Sequence, residues 1–277
     1  MMRYTIRYVS LLAGMLTVFS SCEHKDLCFD HEAHAPKSDV HVKAVYEKEW
    51  EHTCEGGPDW KQYPAWESRF GMEYHELCPD DPDGLRVQVY NEDGTNNILN
   101  VASEGDIVRM RPGEHSLLLY NNDTEYIVFD DMNSFASAKA TTRTRTRASY
   151  AGNPFMGNTA ENTVNAPDML YGNYIESYTA ERKTEIDELP VTMHPLVFTY
   201  LVRYEFSHGL EYVALAHGAL AGMAGAVWLN SGRTSEEAAT ILYDCTVEDF
   251  GAQACVQSFG IPDYPNEHYT ARASERK

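Results

Sequence analysis

Positive charge is scarce in this 277-residue chain. Its 22 lysines and arginines stand against 42 aspartates and glutamates, for a formal net charge of −20. Binding to nucleic acid needs a basic patch against the phosphates, so that class of function is excluded. The same shortage removes a polybasic grip on anionic lipid. Short patterns that carry chemistry are also missing. The chain has no nucleophile elbow, no phosphate-cradling glycine loop, no His-Glu-x-x-His and no Cys-x-x-Cys. Nucleophile, base and cofactor signatures are thus absent, and a non-enzymatic protein without a cofactor is expected. Long apolar runs are few. Val9–Phe19 falls short of the ~20 residues that span a bilayer as a helix. Tyr212–Leu229 approaches that length but is mostly alanine and glycine, with His217 inside it. It reads as a buried strand leading into a short helix under a sheet.

What is present begins at the N-terminus. Arg3 and Arg7, the apolar run and Ser20-Ser21-Cys22 make a secretory signal that ends in cysteine. This predicts removal of residues 1–21 and lipid attachment to Cys22, placing the protein outside the cytoplasm, tied to a membrane by acyl chains. Residues 22–38 are polar and read as a tether. An exported compartment permits disulfides. Cys54–Cys78 could staple one long loop and Cys245–Cys255 could join adjacent strands, with Cys28 left over; free thiols are the other reading.

The rest alternates as half-buried strands do. Val40, Val42, Ala44 and Tyr46 form one such series, and Leu85, Val87 and Val89 another. Asp93-Gly94 then marks a hairpin turn before Ile98–Val101. Ile107–Met110, Leu117–Tyr120 and Tyr126–Phe129 follow at close spacing. Leu196–Phe206 reads as the longest strand, with Ala239–Tyr243 and Ala254–Phe259 after it. Such a pattern predicts an all-β chain of sandwich type. The stretch 141–150, with Arg143, Arg145 and Arg147 between threonines, reads as a linker. It would separate an N-terminal sandwich (39–140) from a C-terminal one (151–277). The competing reading is a basic edge strand.

Three groups of residues could bind something. His24, Cys28, His31 and His34 offer nitrogen and sulfur, but read better as a solvated tether than as a metal site. Asp80, Asp81 and Asp83 offer oxygen, but read better as a turn. The loop-like stretch Trp50–Asp83 carries Trp60, Tyr63, Trp66, Phe70 and Tyr74, aromatics that could stack on a glycan, hold a partner or pack as core.

Several segments resemble a known family. They are Cys22-Glu23-His24-Lys25-Asp26-Leu27-Cys28-Phe29-Asp30-His31, Tyr120-Asn121-Asn122-Asp123-Thr124, Pro167-Asp168-Met169-Leu170-Tyr171, and the block from Leu220-Ala221-Gly222-Met223-Ala224 to Ser258-Phe259-Gly260. The chain resembles the Bacteroidetes lipoproteins of domain-of-unknown-function family 5119, related to fimbrillin-like anchor and minor-subunit lipoproteins. The resemblance implies two tandem transthyretin-like β-sandwiches on a surface lipoprotein, with fimbrial subunits as partners and no catalytic residues. It also implies a second sandwich shortened at its C-terminus, with an edge strand open after Phe259. An anchor or accessory subunit of fimbria-like adhesive structures is the expected function. A glycan-binding lipoprotein using the Trp60–Tyr74 aromatics is the alternative.

Overall fold

The computed structural model describes residues 38–48, 66–145 and 162–266. The signal, the tether up to Lys37, Cys22, Cys28, Cys54, Trp60, Tyr63 and Arg147 lie outside the described residues.

The chain is all-β. Strands β1 (Ser38–Tyr46), β2 (Gly84–Asn91), β3 (Asn96–Ala102), β4 (Ile107–Met110), β5 (Gly113–Asn121), β9 (Tyr171–Ala180) and β10 (Asp187–Pro195) form one seven-stranded sheet in the order β3-β2-β5-β9-β10-β1-β4. β10 turns the corner of this sheet. Its first part pairs in parallel with β1, from Val40↔Asp187 to Tyr46↔Met193, and its last two residues pair with β9. The sheet therefore folds on itself. Val40, Val42, Val108, Met110, Leu189, Val191 and Met193 from one half meet Leu85, Val87, Val89, Leu117 and Leu119 from the other in a single core.

Leu117–Tyr120 is apolar without alternation because the β2-β5-β9 half is covered on both sides. Its outer face presents Tyr90, Leu118, Tyr120 and Tyr174 to a three-stranded sheet of β6 (Ile127–Asp130), β7 (Lys139–Thr142) and β13 (Ala226–Trp228), which contributes Ile127, Ala140 and Val227. A further sheet runs β11 (Phe198–Glu205), β15 (Gly251–Ser258), β14 (Ala238–Glu248), β12 (Ala216–Ala224), with β8 (Thr163–Val164) beside β14. Val164, Met223, Ala239, Ile241, Tyr243, Ala254 and Val256 make its core.

Four expectations change. β9 and β10 follow the stretch read as a linker, yet they belong to the sheet built from strands before it. Sheet pairing thus crosses the boundary drawn at 141–150. Residues 141–145 are paired rather than free: Thr141 and Thr142 lie in β7, Thr144 bridges Val164, and the Arg145 amide donates to the Thr163 carbonyl at 2.9 Å. Threonines between the arginines supply the β-branched residues that a strand favours. The Tyr212–Leu229 run forms β12 and β13 and no short helix, with a 3-10 turn only at Leu210–Tyr212 before them. Its small residues have a sheet role. A Cβ on Gly218 would sit 2.1 Å from the Tyr243 ring, and Gly222, at φ 75°, stands where the β12–β14 register shifts. Finally, the longest strand is β14, with 11 residues, while β11 has 8.

Candidate functional site

The aromatic stretch is where sequence and structure meet most directly. Trp66–Phe70 forms one short helix, α1, ended by Gly71 in the left-handed region at φ 69°, whose amide donates to the Glu67 carbonyl at 2.9 Å. A 3-10 turn at Tyr74–Leu77 follows, opened by the reciprocal Glu73 and Glu76 capping box. This geometry stacks the three aromatics. Trp66 lies 4.6 Å from Phe70 and 5.4 Å from Tyr74, centroid to centroid. The segment lies against β11 and β15. The Arg203 guanidinium donates to the Arg69 carbonyl, and the Gln253 amide donates to the Phe70 carbonyl at 3.1 Å. Between them runs a cleft of about 450 Å³, lined by Trp66, Phe70, Tyr74 and Cys78 on one side and by Met169, Phe198 and Leu201 on the other. The rings are half-buried, pack on one another and line one wall of the cleft. Of the aromatics singled out in the sequence, Trp66 and Tyr74 are brought into contact here.

Three of the four quoted family motifs lie among the described residues, and hydrogen bonds tie them down. Asn121, 2% exposed, uses its whole amide. Its Nδ2 donates to the Met169 carbonyl at 3.1 Å and to Asp123 Oδ1 at 2.7 Å, while its Oδ1 accepts the Tyr171 amide at 2.7 Å. Next to it, one oxygen of Asp168 accepts three successive amides, from Glu125 (2.8 Å), Tyr126 (2.5 Å) and Ile127 (3.2 Å). The third motif closes similarly, with the Ala224 amide donating to the Gly260 carbonyl at 2.8 Å. These residues hold strands in register.

Arg145, in the stretch read as a linker, has a role that sequence reasoning missed. It donates to the Leu242 carbonyl at 3.0 Å and clamps both oxygens of Asp244, which also accepts from His217 Nδ1 at 2.7 Å. Burial opposes ionisation of Asp244, but the bonds from His217 and Arg145 outweigh it and hold the carboxyl below its usual range. A depressed folded-state pKa adds stability above the unfolded pKa, and this is lost as pH falls through the folded value. The carboxylate is largely exposed, so solvent screens the effect. Asp244→Asn should cost about 0.5 kcal/mol at neutral pH, and its difference from the parent in urea should shrink below about pH 4.

The expected Cys245–Cys255 bridge is not made: both are free thiols. Thr246 stands opposite Gln253, so the two cysteines are out of register and project from opposite faces of the sheet. Cys245 packs with the core of that sheet, and Cys255 is exposed. Of the aspartate loop, Asp81 pairs with Lys48 at 3.3 Å and the Asp83 amide donates to Asp123. Among the described residues no three metal-ligating side chains converge, and no helix is long and apolar enough to cross a membrane.

The sequence pattern of a domain of unknown function, DUF5119, matches residues 62–244. The chain belongs to that family. It is 27% identical over 173 residues to a protein named "Putative fimbrium anchoring subunit Fim4B" from Bacteroides ovatus, covering 62% of this chain and 50% of that one. The chain thus spans half the length of that curated relative. A crystal structure titled as a putative adhesin from Bacteroides ovatus superposes with a TM-score of 0.60 at 22% identity, over 84% of this chain and 70% of that one. A second adhesin structure from the same species gives 0.50 at 9% identity, over 85% and 73%. At these identities the likeness is one of fold, and it agrees with the all-β architecture described above.

Proposed function

We propose that the protein is a non-enzymatic, fimbria-associated component of the cell surface, serving as an anchor or accessory subunit held to the outer membrane by lipid on Cys22. The observation that carries this reading is the sequence relation to the Bacteroides ovatus protein named "Putative fimbrium anchoring subunit Fim4B". Physical features support it. Among the described residues, β11 and β12 each pair on one side only within their sheet. Such edges offer amides and carbonyls to another chain, and strand addition is an established way to bind one. The family motifs secure the scaffold, and no constellation for turnover is needed.

Purification of the protein from its native envelope tests the reading. A polymerising surface subunit should co-purify, and its absence under mild extraction would count against the role. Cys22→Ala should move the protein from the membrane to the soluble fraction or leave it unprocessed. Unchanged acyl labelling of that variant would refute the lipid site. The aromatic cleft supports a second reading, glycan binding. Retention on a polysaccharide that Trp66→Ala abolishes would favour it.

A further inference from the structure

The two most exposed large apolar side chains among the described residues are Tyr212, at 85%, and Leu215, at 75%. Both lie in the connection from β11 to β12, as does the exposed Phe206. The topology brings this connection to one end of its sheet. β11 ends with Glu205 opposite Gly251, and the Phe206 amide donates to the Phe250 carbonyl at 2.9 Å, beside the β14–β15 turn. β12 starts with Ala216 opposite Cys245, shortly before the same turn. The connection thus runs past that turn across three strand spacings, about 14 Å. It is an ordered segment. Gly209, at φ 82°, opens the 3-10 turn Leu210–Tyr212. The Tyr212 amide donates to the Gly209 carbonyl at 3.1 Å, and the Val213 amide to the Leu210 carbonyl at 2.9 Å. Tyr212 is therefore held outward by a hydrogen-bonded turn.

Side chains this exposed bury little apolar area, so the fold does not account for them. Neighbouring charge narrows what covers them. Glu205, Glu211 and Asp249 are exposed at the same end of the sheet. Glu205 pairs with Arg203 at 3.0 Å, while among the described residues Glu211 and Asp249 have no ion-pair partner. A second copy of the chain, at a net charge of −20, would meet these carboxylates with more of the same sign. A lipid surface calls for lysine and arginine beside the apolar residues, and carboxylates stand there instead. A pocket on another protein does match. Tyrosine offers such a pocket a large, rigid anchor at low entropic cost. Lysines or arginines around the pocket would complement the acidic rim.

We infer that the Phe206–Leu215 connection is a docking surface for another protein, with Tyr212 and Leu215 seated in an apolar pocket ringed by lysine or arginine. The inference stands independently of the fimbrial reading, which co-purification of a polymerising subunit tests. Here the test is a photo-crosslinker, p-benzoylphenylalanine, placed at residue 212 of the full-length protein in its native envelope. The same group in place of Ile98, another exposed apolar residue, is the control. Illumination should join residue 212 to one other protein, through a peptide that mass spectrometry shows to contain lysine or arginine. Residue 98 should give no such product. The Glu211→Lys/Asp249→Lys variant should lower the yield about tenfold by reversing the rim charge, and Leu215→Ser should lower it by removing an anchor. These changes touch only exposed side chains, so urea midpoints should match the parent and separate lost contact from lost folding. The inference is overturned if residue 212 joins only lipid or a second copy of this chain, if it gives no product beyond the residue 98 control, or if the charge-reversed variant cross-links as well as the parent.

Discussion

Gly105→Ala should cost about 4 kcal/mol of folding stability or prevent folding altogether. Gly105 lies in the turn between β3 and β4, at φ +103°, where an L side chain is strained. A Cβ there would sit 2.0 Å from the Val42 carbonyl oxygen and 2.8 Å from its carbon. The obstacle is backbone, so no rotamer change relieves it. The turn is also tied to β1. The Val42 amide donates to the Asp106 carbonyl at 3.1 Å, the Ala44 amide to the Glu104 carbonyl at 2.8 Å, and the Tyr46 hydroxyl to the Ser103 carbonyl at 2.9 Å. Moving the turn away therefore breaks pairing at the corner of the main core. Gly94→Ala is the control. Gly94 also has positive φ, at 79°, but a Cβ there meets nothing within 4 Å. It should cost about 1 kcal/mol, from conformation alone. Urea midpoints of the two variants separate clash from strain, and equal midpoints would show that the turn relaxes freely.

Asn121→Ala should cost about 3 kcal/mol. The wild-type amide makes three hydrogen bonds from a nearly inaccessible position. Truncation leaves the Tyr171 amide and the Met169 carbonyl to find partners inside the protein, and an unmet buried group costs more than a bond gains. The loss should appear as a lower urea midpoint with an unchanged slope. Asn121→Asp keeps the acceptor for Tyr171 but loses both donors and sets a carboxylate beside Asp123, so it should also destabilise. If both variants unfold like the parent, the motif holds the fold by something other than this amide.

These two positions were legible to different degrees. The Asn121 motif was visible as a family signature, but its purpose was not, because its partners lie 48 and 50 residues away. Gly105 left no local sign beyond a turn, since what forbids a side chain there is the backbone of β1. β9 and β10 were missed for related reasons. Leu189, Val191 and Met193 do alternate, but Pro190 and Pro195 break the pattern that normally marks a strand. In β9 the buried residues, Tyr171, Gly172, Tyr174 and Ala180, do not alternate, and Asn173, Glu176, Ser177 and Thr179 between them are polar.

By itself, the sequence determined the all-β class, most strands, the Asp93–Gly94 hairpin and the strongly negative net charge. Period-two alternation, turn chemistry and charge are all properties of residues near one another in the chain. Tertiary structure alone decided that β1 pairs in parallel with β10, a contact that joins Lys43 to Glu188 across 145 residues. It alone put Cys245 and Cys255 on opposite faces and turned residues 141–145 from a linker into paired backbone. Strand partners and register are set by which faces can be buried together, and no local pattern encodes that choice.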